Sequence, residues 1–231
     1  MTHLLLRDRI GGDLVIEVAF TTSALDVSDH GSESIRGAAL ATVAKETGAA
    51  PVLMHQVHGA DVVVVDDLPP ISPPDCDALV TAQVGVALMA RAADCVPVLI
   101  ADPETGWIAA VHAGRPGLAQ GVVPQALAQM RSMGANPQVA WLGPHVCGAC
   151  YEVPEQLQTD VAAVVPQAKA TTSWGTPSLD LGAGLHAQLA HDGVTDVRRV
   201  NICTRESQEW PSFRRDGERA TRFAGVIWSH R

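Results

Sequence analysis

Short apolar runs bounded by glycine, proline or charge dominate this chain, and helical periodicity interrupts them at a few places. LVIEVAF at 14–20 reads as a strand, whereas 33–47 sets Ile35, Ala38, Ala39, Val43 and Thr47 along one side of a helix. PVLMHQVHG and DVVVVDD, at 51–59 and 61–67, predict two short strands around a turn at Gly59, and Pro69, Pro70, Pro73 and Pro74 mark a loop after them. Further apolar segments follow at 84–91, 96–101 and 107–112. The turn Gly114-Arg115-Pro116-Gly117 leads into a helix near 117–133, with Pro116 suited to its first turn. A strand at 139–143, a helix at 154–165, a short helix near 182–191 and strands near 196–204 and 222–229 complete the pattern. Helices and strands mix irregularly, without a βαβ period, an internal repeat or a linker rich in Pro, Gly or Ser. The expectation is one α+β domain over residues 1–231.

Composition narrows the class. The 231 residues are 47% hydrophobic, 18% charged and 4% aromatic, so the interior is built mostly from Ala, Val and Leu, and disorder and collagen-like repeats are excluded. Sixteen basic against 25 acidic residues leave a net charge of −9, with a pI near 5.4. A duplex-binding surface would work against that field, so nucleic acid is not an expected partner, whereas a small anionic substrate in a local basic pocket is compatible with it. Arg7, Asp8 and Arg9 break the apolar start, and no apolar stretch approaches the roughly 18 residues of a membrane span. A cytoplasmic protein with no membrane partner is expected. Its five cysteines (Cys76, Cys95, Cys147, Cys150, Cys203) are then read as thiols, some of them open to metal or catalytic roles.

Three segments share one form, an apolar strand that meets a metal-competent residue at its end. They are HQVHG with His55 and His58, AADCVPVL with Asp94 and Cys95, and AAVHAGRPG with His112. Strand ends with glycine-rich turns are where ligands bind, so these three ends are candidates to converge. Two imidazoles and a thiolate suit Zn²⁺ with a fourth position open. The spacing matches no local zinc signature, and a buried Cys95 beside a hydrogen-bonded strand-end His112 is the plainer reading of the same residues. Cys147 and Cys150 form a CGAC that invites a redox or zinc-knuckle reading, set against that of a loop lining a pocket. Arg214 and Arg215, with Arg219 and Arg222 nearby, can clamp phosphate or carboxylate, or simply form a solvated charged face. Arg115, inside a turn ahead of a helix, marks a second place for an anion. GxGxxG, GxSxG and the P-loop pattern are absent.

QVHG, DALVT, ADCVPVLIAD, AAVHAG, GPHVCGACYEV, LDL, CT and FRRDG occur in this order over residues 56–217. Together they resemble the YfiH-type laccase-domain family, whose members carry the names polyphenol oxidase, purine nucleoside phosphorylase and peptidoglycan editing factor. The resemblance implies an α+β domain of layered mixed sheets flanked by helices, in the order α/β/β/α. It implies a metal site at His58, Cys95 and His112, which also makes them the catalytic residues. Three departures border the expected substrate region. The family's HAGWRG is HAGRPG here, its N-terminal Asn-Arg pair is represented only by Ile35-Arg36, and its Thr-Gly-Arg becomes Ala220-Thr221-Arg222.

The function this implies is a zinc-dependent enzyme of purine nucleosides, by phosphorolysis or deamination of adenosine-type substrates. Its partners are a nucleoside and phosphate, and it is expected as a monomer or weak homodimer. Arg36, Arg115, Arg214 and Arg215 are the candidates for phosphate, and His55 and Gln56 for substrate contact beside His58. Three alternatives use the same residues: a cysteine hydrolase of a peptidoglycan precursor with Cys95 as nucleophile and His112 as base, a copper-dependent polyphenol oxidase, and a non-catalytic binding protein. Copper is the less suited ion, because laccase chemistry needs several coppers and the motif blocks offer only His55, His58, His112 and His145.

Overall fold

The computed structural model describes residues 3–29, 32–66 and 72–231. Among these residues, two mixed sheets pack face to face. One runs in the order β1 (Leu4–Gly11), β2 (Val15–Thr21), β13 (Phe223–His230), β6 (Val86–Ala92) and β3 (Ala50–Val52). The other runs β12 (Asp196–Arg199), β9 (Val139–Leu142), β7 (Val96–Ala101), β8 (Ile108–Ala113), β5 (Ala78–Thr81) and β4 (Val62–Val64). A separate ribbon pairs β10 (Lys169–Thr171) with β11 (Pro177–Leu179). Helix α1 (Glu33–Thr47) covers the first sheet through Ala39 and Val43. Helices α2 (Arg115–Gln120), α3 (Val122–Ser132), α4 (Glu155–Val164) and α5 (Leu181–His191) cover the second. The layers are therefore α/β/β/α, as the resemblance implies.

Period-two burial builds the sandwich. In β13, Phe223 and Ile227 enter the core between the sheets, while Ala224, Val226 and Trp228 enter the core under α1. Strands β6, β7 and β8 are buried along their whole length, which is why they read as continuous apolar runs rather than alternating ones.

Several boundaries differ from the sequence pattern for physical reasons. The two strands expected around Gly59 shrink to β3 and β4 and join different sheets, each beside a parallel partner. Residue 67, the end of the second, lies outside the described residues, as do Pro69 and Pro70. The helix expected near 117–133 begins at Arg115 and breaks at Gly121, whose φ of 77° needs a glycine. Ile35 on α1 is exposed, so only part of the predicted apolar side is buried. The strand expected over 196–204 stops at Arg199. Strand β1 escapes the pattern because LLLRDRIG is an edge strand with a bulge between Leu5 and Asp8. There Asp8 accepts hydrogen bonds from Trp141 Nε1 at 2.8 Å and Arg198 at 2.6 Å, tying the two sheets at one edge.

Candidate metal centre and substrate cavity

Strands β7 and β8 are antiparallel neighbours that place Val96 opposite Ala113 and Pro97 opposite His112. Leu99 and Ala110 on these strands face the space between the sheets. By two-residue alternation Cys95 and His112 face the same way, at the same end of the sandwich. His58 joins them from the loop after β3, at a backbone φ of 59°. The ligand-competent atoms of His58, Cys95 and His112 all lie within 4.8 Å of one another. Cys95 Sγ is 4.0 Å from His58 Nε2, and the two imidazoles meet edge to face with centroids 4.7 Å apart.

A residue the sequence pattern passed over holds this arrangement. Asp77, fully buried immediately before β5, accepts from His112 Nδ1 at 2.8 Å. It also accepts from the backbone N–H groups of Val57 (3.3 Å), His58 (3.1 Å) and Gly59 (2.6 Å). One carboxylate thus sets the His58 turn and fixes the His112 proton on Nδ1, leaving Nε2 toward Cys95. Burial opposes its charge, but these donors outweigh burial and hold its pKa below the ordinary value. The Cys95 thiol is likewise opposed by burial, yet the positive charge of His112 and hydrogen bonds from both histidines bring it down to about 6. His112 is pushed up to about 9 against burial, by the Cys95 thiolate and then by Asp77. The charge distribution is a thiolate against an imidazole whose far nitrogen is anchored.

Gly114 completes the packing, since a Cβ there would stand 2.9 Å from His58 Cδ2 and 3.2 Å from Cys95 Sγ. Two imidazoles and a low-pKa thiolate, with a buried carboxylate behind one imidazole, have the chemistry that a three-ligand Zn²⁺ site with an open position requires. The residues fit one such ion. The several coppers of laccase chemistry have no matching histidine groups among the described residues, where His58 and His112 are the histidines of any metal-competent cluster.

The trio opens into a cavity of about 580 Å³. Of the predicted substrate residues, His55, Gln56, Arg115 and Arg214 line it. Gln56 spends its amide on the backbone of Arg91, donating to the carbonyl and accepting from the N–H, both at 2.9 Å. His55 is exposed and pairs with Asp75 at 2.7 Å. Arg214 lies over the Tyr151 ring, 4.4 Å from its centroid, and donates to the Glu152 carbonyl. Arg36 lines an adjoining cavity of about 480 Å³ and pairs with Asp29 at 3.0 Å. Arg215 turns into its own loop, donating to the carbonyls of Thr204, Ser207 and Trp210 and pairing with Asp216. Arg222, Tyr151 and Phe213 also face the main cavity. Asp94, at φ 90°, accepts from Thr204 Oγ1 and from the Arg214 backbone N–H, each at 2.6 Å, and so fastens the segment bearing Phe213 and Arg214 beside Cys95. The signal for Arg222 was its place in the arginine group, and for Asp77 its position at the head of an apolar strand.

A purine nucleoside phosphorylase of Streptomyces coelicolor is 55% identical over 195 residues, covering 80% of this chain and 78% of its own. One of Corynebacterium glutamicum is 44% identical over 181 residues, covering 77% and 73%. The crystal structure of a Neisseria meningitidis protein of the family DUF152 matches with a TM-score of 0.84 at 26% identity over 98% of both chains. Bacillus licheniformis YfiH shares the fold, with a TM-score of 0.83 at 23% identity over 92% of both chains. Residues 8–230 match the family described as multi-copper polyphenol oxidoreductase laccase, and the chain belongs to that family.

Proposed function

We propose that this protein is a zinc-dependent purine nucleoside phosphorylase acting on adenosine-type nucleosides in the cytoplasm, with His58, Cys95 and His112 as the ligands. The observation that carries the reading is a single cavity that joins this donor set to the guanidinium groups of Arg115, Arg214 and Arg222. The names of the Streptomyces and Corynebacterium relatives support the substrate class. When bound, the ion supplies Lewis-acid stabilisation of charge developing on the substrate. Asp77 fixes the His112 tautomer, and the two histidines with Cys95 form the floor of the site.

The arginines hold hydrogen phosphate by charge-assisted hydrogen bonds. Tyr151 and Phe213 offer apolar ring surface to the purine. Phosphate oxygen attacks C1′ as the C1′–N9 bond breaks, the electron pair leaves with the base, and the hydrogen-phosphate proton balances the departing purine. Deamination of adenosine in the same cavity would instead consume water and be indifferent to phosphate. The test is chromatographic analysis of adenosine, inosine and guanosine incubations with and without phosphate. Phosphate-dependent release of base and ribose 1-phosphate, abolished in a folded Cys95→Ala protein, is expected. Full turnover by Cys95→Ala would overturn the reading, and activity that survives chelation but not iodoacetamide would assign Cys95 as a nucleophile instead.

A further inference from the structure

The CGAC motif lies apart from the catalytic trio, and the fold brings it to a partner far along the chain. Cys147 and Cys150 sit in the loop after β9, and Cys203 and Glu206 in the loop after β12. The two loops are laced by backbone bonds: His145 N–H donates to the Ile202 carbonyl, and Thr204 N–H to the His145 carbonyl. Strands β9 and β12 are parallel neighbours, so both loops leave the same sheet end side by side. The three sulfurs and the Glu206 carboxylate all lie within 4.8 Å of one another.

We propose that Cys147, Cys150, Cys203 and Glu206 form a second, structural Zn²⁺ site. Four donors close a tetrahedron, unlike the trio with its open position. Zinc–sulfur bonds of ~2.3 Å give sulfur–sulfur edges of about 3.8 Å, so the widest pair here needs to close by only about 1 Å. The turn already has a chelating form, because the N–H groups of Cys150 and Tyr151 both donate to the Cys147 carbonyl. The backbone N–H of Cys147 points at Cys203 Sγ from 3.4 Å, supplying a donor to that sulfur. Cys150 Sγ is 3.4 Å from Glu206 Oε1, so the carboxylate stands next to the buried thiol. Cys147 and Cys203 are half-buried and Glu206 is exposed, which leaves an entry path from solvent. Three thiolates select a thiophilic ion over Mg²⁺ or Ca²⁺.

The placement gives the ion a role. Tyr151 follows Cys150 directly and lines the catalytic cavity. Thr204 follows Cys203 and hydrogen-bonds Asp94, next to Cys95. Arg205, between the ligands of the second loop, donates to the Cys150 carbonyl at 3.0 Å. A zinc ion at this point would rivet two loops that carry cavity residues, so loss of the ion loosens Tyr151 and the Asp94 anchor together.

The site is tested with Co²⁺ as the probe, on full-length protein kept reduced and freed of metal. The Cys95→Ser variant removes the catalytic donor set and leaves the second group intact. It is expected to bind about one equivalent of Co²⁺, with intense thiolate-to-cobalt charge transfer and tetrahedral d–d bands, and to be displaced by Zn²⁺. Adding Cys147→Ser and Cys203→Ser should abolish those bands. Glu206→Gln, a change at an exposed position, should keep the fold and weaken binding by about tenfold or more. A folded Cys95→Ser protein without a thiolate-rich cobalt spectrum would overturn the proposal, as would bands that survive the cysteine substitutions. A disulfide among these cysteines in protein prepared without air would assign them to redox chemistry and also overturn it. None of these readouts uses turnover, so they stand apart from the test of the phosphorylase reading.

Discussion

Asp77→Asn changes one buried atom and separates the two tasks of that side chain. Its carboxylate oxygens divide four donors: one takes the His58 N–H and His112 Nδ1, the other the N–H groups of Val57 and Gly59. An amide has one oxygen, so its NH₂ faces a donor pair whichever way it is placed. With the NH₂ toward Val57 and Gly59, the 57–59 turn loses its anchor. With the NH₂ toward His112, Nδ1 must become the acceptor, the proton moves to Nε2, and the nitrogen facing Cys95 loses its lone pair for a metal. The first placement loses two hydrogen bonds to a buried charge, at about 1.5 kcal/mol or more each, and the second exchanges one of its two for a neutral N–H···N bond, so up to about 3 kcal/mol of stability is expected to go. For a domain of this size that lowers the Tm by about 6–12 °C, and metal affinity falls by roughly 10- to 100-fold. Differential scanning calorimetry and chelator competition measure the two quantities. A variant that melts within a degree or two of the wild type and retains metal equally well would refute this account of Asp77.

Gly114→Ala should spare the backbone, since φ there is −77°, but its methyl group falls 2.9 Å from His58 Cδ2; metal affinity is expected to drop about tenfold or more by competition with a chelator, with a smaller loss of Tm. Asp102→Ala removes a buried acceptor for the Glu104, Thr105 and Asn136 N–H groups and the Thr105 hydroxyl, at a cost of about 2–4 kcal/mol in urea unfolding and with turnover unchanged. Burial disfavours the Asp102 charge, but the Thr105 hydroxyl and then the backbone donors outweigh it and lower its pKa. Its contribution is therefore complete above the unfolded value of ~3.9 and disappears as pH falls through the lower folded one, so the wild type–variant difference should shrink in acid. Asp94→Ala should release Thr204 and the Arg214 backbone, raising the KM for phosphate while metal content by mass spectrometry stays at the wild-type level; loss of metal with KM unchanged would reverse that assignment.

The sheet interior was legible because strands buried on both faces leave long apolar runs, as at 86–92 and 96–101. Strand β1 was not, since Arg7, Asp8 and Arg9 on an edge look like a break in a strand. The strand expected over 51–59 stops at Val52 for a non-local reason. HQVHG has strand-like composition, but the Asp77 carboxylate, about twenty residues on, gathers three of its N–H groups and bends it. The juxtaposition of Cys95 and His112 was legible from their strand ends, whereas His58 sits in a loop after β3, and the Asp77 support was not legible because a buried aspartate before an apolar strand carries no periodic signal. Nor does spacing separate Arg215 from Arg222. Arg215 follows the short helix α6 (Phe213–Asp216) back into its own loop, whereas Arg222 lines the cavity just before β13.

The division of labour in the cavity explains where this sequence departs from its family's pattern. Cys95 and His112 stand on or beside paired strands whose register leaves little freedom, and Asp77 at the head of a third strand fixes His58. A change at any of these positions would displace the donor atoms of the trio, and a metal site tolerates little displacement. The arginines at the cavity stand in loops and short helices, where chain length can vary without cost to the sheets. Replacing HAGWRG by HAGRPG moves an arginine one place earlier, to the first position of α2, and the residue still lines the cavity. Ala220-Thr221-Arg222 likewise lies just ahead of β13, and Arg222 reaches the same space. Both departures keep an arginine at the cavity. On the phosphorylase reading proposed above, both bear on substrate acceptance and leave His58, Cys95 and His112 untouched.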